Sequence, residues 1–569
     1  MAISDHSNDS QTETPLLLDT VDGAVDFKDR PVLRAYSGGW RAAAFIIVVE
    51  VAERFAYYGI DSNLINYLTG PLGQSTVTAA ENVNIWSGTA SLFPLLGAFV
   101  ADSFLGRYRT IMLATFIYIL ALSLLTLSAL LPFSNADCQF ANSSSCSELQ
   151  VILFFFSLYL VALAQGGHKP CVQAFGADQF DREHPEERKA RSSFFNWWYF
   201  TFTAGLLVTI SILNYIQDNV GWAFGFGIPC IAMVIALVVF SCGTWNYRFS
   251  IQGDGKSPFL RISKVFVVAL RNWRTTPFAI ASEEEARGIM PHQGSEQFRF
   301  LNKALVAPDG SGKDGKVCDV YEVEEAKAIL RLFPIWATSL IYAVVFAQSP
   351  TFFTKQGVTL DREIWPGFLV PAASLQCFIS LSIVIFIPIY DRIVVPIARA
   401  ITRESSGISM LQRIGTGMFF SIISMVVAAF VEMKRLKRAR DYGLIDMSDV
   451  TIPMSIWWLI PQYVLFGISD GFTMVGLQEF FYDQIPDELR SVGLALYLSI
   501  FGVGSFLSSF VVSCIEKVTG GDGHNSWFAN NLNRAHLDYF YALLAALSMV
   551  ELAAFLFFSK SYIYKRVNP

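Results

Sequence analysis

Five residues near the start of the chain have the types and spacing to handle protons: Glu50, Glu53, Arg54, Tyr57 and Asp61. They follow i, i+3, i+4, i+7 and i+11, which is one face of a helix, and Val48, Ala52, Phe55 and Ile60 take the other face. The run around them, from about 42 to 68, is otherwise apolar and reads as a membrane-spanning helix. Each ionisable group at mid-bilayer costs roughly 2.5–3.5 kcal/mol on insertion scales, so three are rarely kept without a use. Arg54 is within reach of both Glu50 and Glu53, and pairing makes the charges tolerable. One reading is a buried ion cluster that fixes helix packing. The other, which we expect, is a proton or ion relay facing an aqueous pathway.

Two more ionisable residues interrupt apolar segments. Lys169 follows Gly166, Gly167 and His168 near the end of the fourth segment, and Glu479 closes the tenth in VGLQEFF. A buried Lys and a buried Glu are each expensive alone and are natural partners. If they meet in only one conformation, the pair is a gate and protonating the acid is its trigger. A permanent structural salt bridge is the other reading. His168, a lone histidine beside Lys169, reads as a packed group.

These groups need elements to position them. The 569 residues are 53% hydrophobic and 16% charged, far below the roughly 25% charged of soluble domains, and they include 49 Phe. This composition predicts an all-α membrane protein. After 42–68, apolar segments recur at 84–105, 108–131, 150–172, 193–216 and 222–243. Then come 328–349, 366–390, 411–432, 454–478, 490–514 and 536–559. Each is long enough to span, and lipid demands helices, because backbone groups find no partners there. The expectation is twelve transmembrane helices, six on either side of a linker.

The expected domains are a tail at 1–41, a six-helix bundle at 42–243, a linker at 244–325, a second bundle at 326–560 and a tail at 561–569. Lys and Arg place the orientation. Arg107, Arg109, Arg182, Arg188, Lys189 and Arg191 lie in loops on one side, and the intervening loops lack both residue types. Both termini and the linker are therefore expected in the cytoplasm. KRLKRAR at 434–440 disagrees with that orientation.

Other features are narrower. Cys138 and Cys146 flank a polar loop with a sequon at Asn142, and would pair only in an oxidising lumen. Glu13 with Leu17 and Leu18 fits an acidic dileucine sorting pattern, which would favour the vacuolar membrane over the plasma membrane; a chance Leu cluster fits equally. The linker has a helix-start pattern at 282–285 and a flexible PDGSGKDG at 308–315 that lacks a phosphate-loop frame. No basic block is long enough to hold nucleic acid. In SFFNWWYFTF at 193–202, Asn196 is the best candidate to line a cavity. Gly88, Pro94, Gly97, Pro371, Gly502 and Gly504 suit a bundle that moves.

The motifs, taken together, resemble a known family. Glu50-x-x-Glu53-Arg54, ADSFLGRYRT at 101–110, GGHKPCVQAFGADQFD at 166–181, FFNWWYF at 194–200, LFPIWAT at 332–338 and LQEFF at 477–481 are similar to the plant nitrate and peptide transporter family. These are the proton-coupled oligopeptide transporters of the major facilitator superfamily, and the fifth plant subfamily is the nearest pattern. The resemblance implies two six-helix bundles around a central cavity, alternating access and proton symport with a small solute, with no cofactor beyond the proton. It implies that Glu50, Glu53 and Arg54 are the proton-coupling cluster, with Lys169 and Glu479 as partners. Tyr57 and Tyr58 match an aromatic pair near the substrate, and Thr110 matches a site where a kinase acts in one relative.

Two positions depart from the family. Phe346 stands where a nitrate-carrying relative has its binding His, so nitrate binding through an imidazolium does not carry over. Asp61 lies close to where many peptide carriers place an Arg, which favours a cationic or zwitterionic solute. The function expected is a proton-coupled symporter of a small nitrogenous solute, nitrate or peptide-like or amino-acid-derived. The alternative is a membrane sensor with little flux. An enzyme is not expected, since no nucleophile, metal cluster or cofactor motif stands out.

Overall fold

The structure is a computed structural model that describes residues 20–131, 144–181, 184–250, 258–274, 297–305, 318–394, 396–397, 400, 408–448, 450–485, 490–520 and 526–562. Apolar runs fold as helices because each backbone N–H then finds its carbonyl inside the segment. In the first half these are α1 (Gly39–Asp61), α2 (Thr76–Val100), α3 (Arg107–Leu130), α4 (Ser144–Ala177), α5 (Pro185–Val208) and α6 (Trp222–Cys242). The linker holds α7 (Pro258–Arg271). The second half follows with α8 (Val320–Ala337), α9 (Leu340–Phe346), α10 (Cys377–Ile389), α11 (Met410–Asp441), α12 (Ile460–Asp483), α13 (Arg490–Thr519) and α14 (Leu537–Ser561).

Local chemistry sets several boundaries. Ser75 Oγ accepts from the Thr78 N–H at 3.1 Å and starts α2. Ser409 and Gln412 form a reciprocal capping box that starts α11. A π-helical turn at Ala101–Leu105 ends α2, and Gly106, at φ 77°, turns the chain into α3.

Among the described residues, eight helical stretches are long and apolar enough to cross a membrane. There are nine if Val320–Ala337 and Leu340–Val358, bent by 50°, form one span. The other three segments expected to span are also helical, as α1, α5 and α12, but they are more polar. Helix α1 carries Arg41, Glu50, Glu53, Arg54 and Asp61, and α12 carries Asp470, Glu479 and Asp483. Two of the helices that fail on apolarity therefore hold ionisable residues in their bodies.

Helices of each half pack mainly on their own half. Helix α4 lies against α2 and α3, and α6 lies against α1 and α3; in the second half α11 lies against α12 and α14. The main seam between halves is α2 against α13. It is close because Gly88 and Gly502 face each other: a Cβ on Gly88 would stand 3.0 Å from the Gly502 carbonyl oxygen. Hydrogen bonds then close the halves at the end away from the termini. Gln376 donates to the Ser62 carbonyl at 2.9 Å, Ser374 to the Ile210 carbonyl at 3.0 Å, and Lys355 to Thr69 Oγ1 at 3.0 Å. Arg362 stands 3.7 Å from Asp218 at the same end.

The tail and linker are more structured than the sequence suggested. Strands β1 (Thr20–Val25), β2 (Pro31–Leu33) and β3 (Phe249–Ser250) form one antiparallel sheet in the order β2-β1-β3, tying the tail to the linker. Beneath it, Glu187 accepts from Arg248 at 2.6 Å, from Arg34 at 3.0 Å and from the Asp181 N–H at 2.6 Å. Burial pushes the Glu187 carboxyl up. The bonds from Arg248, Asp181 and Arg34, with the charge of Arg248, outweigh that and hold it below the ordinary 4.5. The linker patterns at 282–285 and 308–315, Cys138, and the Glu13, Leu17 and Leu18 pattern lie outside the described residues. The side chain of Cys146 does too.

The basic run at 434–440 has a geometric account. Helix α11 has 32 residues, about 48 Å at 1.5 Å each, against a hydrocarbon core of about 30 Å. Its last turns therefore project beyond the core. There Arg435 pairs with Glu432 at 2.6 Å, both side chains fully buried, and donates to Asn533 and the Leu532 carbonyl. Lys434 lies over the Trp458 ring, 3.1 Å from its centroid. The run is therefore partly spent on internal contacts.

Candidate proton-coupling site

Helix α1 brings its acids and base together as its spacing requires. Arg54 Nε donates to Glu50 Oε1 at 2.7 Å and lies 3.1 Å from Glu53 Oε2. All three are buried, with Glu53 at 0% exposure. Tyr118 of α3 donates its hydroxyl to Glu53 Oε1 at 3.3 Å, and the Arg54 guanidinium lies over the Phe202 ring at 5.4 Å. Glu50 Oε2 has no hydrogen-bond partner, and Glu53 Oε2 has none beyond its ion pair with Arg54. Glu50, with one satisfied and one open oxygen, can take up a proton at the open one, and Arg54 can hold whichever carboxylate stays charged.

Lys169 of α4 joins this group electrostatically, with Glu53, Glu50 and Asp61 as its anionic neighbours. Among the described residues it makes no ion pair within 4.0 Å. Tyr57 stacks on Trp86 at 5.3 Å, and Tyr58 meets Tyr57 at 5.2 Å and Phe202 at 6.3 Å. Asp61, at the end of α1, has one enclosed oxygen without a partner. The site is a short column from Glu50 to Asp61 on one helix face, walled by aromatics.

The profile of the POT family, PTR2, matches residues 108–528. The chain belongs to the POT family. Protein NRT1/ PTR FAMILY 5.10 of Arabidopsis thaliana is 66% identical over 557 residues, covering 98% of each chain. Protein NRT1/ PTR FAMILY 5.13 of the same plant is 57% identical over 559 residues, covering 98% of this chain and 99% of its own. The fold is similar to the crystal structure of an auto-inhibited POT family peptide transporter, with TM-score 0.70 and 21% identity over 93% of this chain and 99% of that one. It is also similar to the POT family transporter PepTSo, with TM-score 0.68 and 20% identity over 92% and 98%. The resemblance read from the motifs holds, subfamily included. As a POT protein the chain is a transporter, not an enzyme: it is proton-coupled, works by alternating access and carries small nitrogenous solutes.

Glu479 is not where the POT pattern led us to expect it. Its side chain is 44% exposed and lies 3.4 Å from Arg413 of α11, so it is neither buried nor paired with Lys169 in this conformation. Nine residues along α12 turn the helix by two and a half turns, so Glu479 projects opposite to Asp470. Asp470 is the buried acid of α12, accepting from the Tyr342 hydroxyl at 2.6 Å. Glu551 of α14 is a second, accepting from the Tyr342 N–H at 2.9 Å. Both carry the same sequence signal as Glu479, an acid in the body of an apolar run. Tyr118 carried no such signal.

The remaining positions divide. Phe346 is a packed aromatic, 5.2 Å from Phe501 and 6.1 Å from Phe466. Asn196 sits on α5, with its side chain outside the described residues. Thr110 is buried, and its hydroxyl donates to the Gly106 carbonyl at 2.9 Å in the first turn of α3, so a kinase would reach it only after that turn opens. Two open clefts, of about 420 and 380 Å³, lie elsewhere. One is lined by Asp446, Glu516 and Arg534, and the other by Asp218, Lys355 and Arg362, at the closed end.

Proposed function

We propose that this POT protein is a symporter whose proton rests on the Glu50–Glu53–Arg54 cluster while a cationic or zwitterionic nitrogenous solute occupies the space between the halves. The observation that carries this is the shared guanidinium: Arg54 binds one carboxylate at 2.7 Å and stands 3.1 Å from the other. Protonating either acid frees the guanidinium for the other, so proton uptake changes which contacts the cluster makes. Asp61 on one half and Asp470 on the other supply negative charge toward the same space, which suits an ammonium group better than a lone anion. Tyr57 and Tyr58 would line that space, and Phe346 and Asn196 would shape it.

In this reading the twelve helical segments form two bundles of six, with both termini and the linker in the cytoplasm. The closure at the end away from the termini then makes this an inward-facing conformation. The Glu13, Leu17 and Leu18 pattern favours the vacuolar membrane, and Thr110 is a site for a kinase. Uptake of a solute panel into proteoliposomes, with and without an inward proton gradient, tests the proposal. Accumulation of zwitterionic or cationic compounds above nitrate supports it, and accumulation of nitrate alone would remove the solute assignment. Replacing Leu17 and Leu18 by Ala in a fluorescent fusion tests the address, since an unchanged location eliminates it.

A further inference from the structure

We propose that His168 is a third proton-carrying residue of the coupling cluster, joined to Glu50 and Glu53 through one bound water. His168 lies on α4 at 0% exposure, and neither Nδ1 nor Nε2 has a hydrogen-bond partner. A neutral imidazole carries one donor and one acceptor, and burying both unmet is costly. Glu50 Oε2 is buried and unmet as well, and Glu53 Oε2 accepts no hydrogen bond beyond its 3.1 Å ion pair with Arg54. One oxygen of each acid and one nitrogen of His168 lie within 4.8 Å of one another. An atom at the centre of the widest triangle that spacing allows is about 2.8 Å from each corner, a hydrogen-bond distance. Three buried polar ends around one such point are what an internal water requires.

The surroundings favour water over a metal ion. A divalent ion would need its ligands drawn in to about 2.0–2.2 Å. It would also stand beside the Arg54 guanidinium, which already holds both carboxylates. The charged and titratable groups facing His168 are Glu50, Glu53 and Arg54 from α1, Tyr118 from α3 with its ring 6.4 Å away, and Lys169 on its own helix. Helix α2 meets this part of α4 through Phe93 and Gly97, which do not titrate. With Asp61 beside Lys169, three carboxylates face the two cations Arg54 and Lys169, so one added proton brings the group to balance wherever it rests.

The step conserves charge. The O–H bond of a protonated Glu53 breaks as its proton passes to the water, and a proton of that water bonds to the facing lone pair of His168. A neutral acid and a neutral imidazole become a carboxylate and an imidazolium, and the reverse step restores them. While the proton is parked on His168, Glu53 is free to pair fully with Arg54.

The inference rests on proton-coupled transport, so the test keeps the two apart. His168→Gln retains a donor and an acceptor but cannot accept a proton. In proteoliposomes, gradient-driven uptake of labelled dialanine, with nitrate in parallel, should fall about tenfold or more, and its pH dependence should flatten. Counterflow should stay within about twofold of the parent. Accumulation equal to the parent, or counterflow lost together with accumulation in well-folded protein, would overturn the role of His168. A parent that accumulates neither probe would count against these substrates, and a second measurement then decides the inference. A high-resolution cryo-electron microscopy map of the full chain in nanodiscs should show water density within about 3.2 Å of His168 and both carboxylates. An empty site there would overturn it.

Discussion

Glu479 Oε2 lies 3.4 Å from Arg413 Nη1, a partner on its own half of the chain. This leaves Lys169 to the carboxylates of α1. A Lys169–Glu479 pair, if it forms, belongs to another state of the cycle, and forming it must break the Arg413 contact. Arg413→Ala should therefore favour that state, and Lys169→Ala should abolish accumulation by about 100-fold while counterflow persists. The double variant Lys169→Ala with Glu479→Gln should lose no more than Lys169→Ala alone, since one relay is broken once. Additive losses in paired uptake and counterflow assays would show that the two residues act separately.

Glu53→Gln removes the exchangeable proton and keeps the acceptor for Tyr118. Uptake driven by a pH gradient should fall by about 100-fold, with binding of the same solute retained. Accumulation at the parental level would reduce the cluster to a packing device.

Phe346 packs between Phe501 and Phe466. Phe346→His should weaken that packing, lowering stability by about 1–2 kcal/mol, and should raise nitrate affinity by about tenfold through the added imidazole. Nitrate titration alongside thermal unfolding reads both effects. No gain in affinity would mark the pocket as one for organic solutes.

The Glu187 junction gives a pH dependence outside the membrane. Its folded-state value lies below the ordinary 4.5, so its stabilisation is fully present above about pH 4.5 and is lost as pH falls through the lower folded value. The melting temperature of the parent should exceed that of Glu187→Gln by a constant amount near neutrality, and the gap should close below about pH 4.5. A gap that widens on acidification would reverse the sign of the shift.

Arg435 and Glu432 are both fully buried, so removing one strands the other. Arg435→Met should destabilise by about 3–5 kcal/mol, and adding Glu432→Gln should recover part of that. Denaturation in detergent with both variants checks the order of stabilities.

The face of α1 was legible because helical spacing alone brings Glu50, Glu53 and Arg54 together, and their contacts are local. Asp470 and Glu551 carry the same sequence signal as Glu479, an acid in an apolar run, and only packing shows that they are the buried ones. The partner of Glu479 could not be read, because Arg413 and Lys169 are both cations and only the packing of α11 on α12 chooses between them. Tyr118 was hidden for a similar reason: a tyrosine in an apolar helix gives no sign of which way its hydroxyl points. The strand pairing of Thr20–Val25 with Phe249–Ser250 joins segments far apart in sequence, and nothing in either short run announces the other.

The meeting of Gly88 with Gly502 has a kinetic meaning. It brings two backbones together with no slack, like a bearing, some turns away from the side chains proposed to line the solute space. Bulk added at the bearing would slow the rocking of the halves without altering what is chosen, and changes near Tyr58 would do the reverse. On the proposed assignment, the clock and the sieve of this machine are built from separate parts, so each can be tuned while the other is left alone.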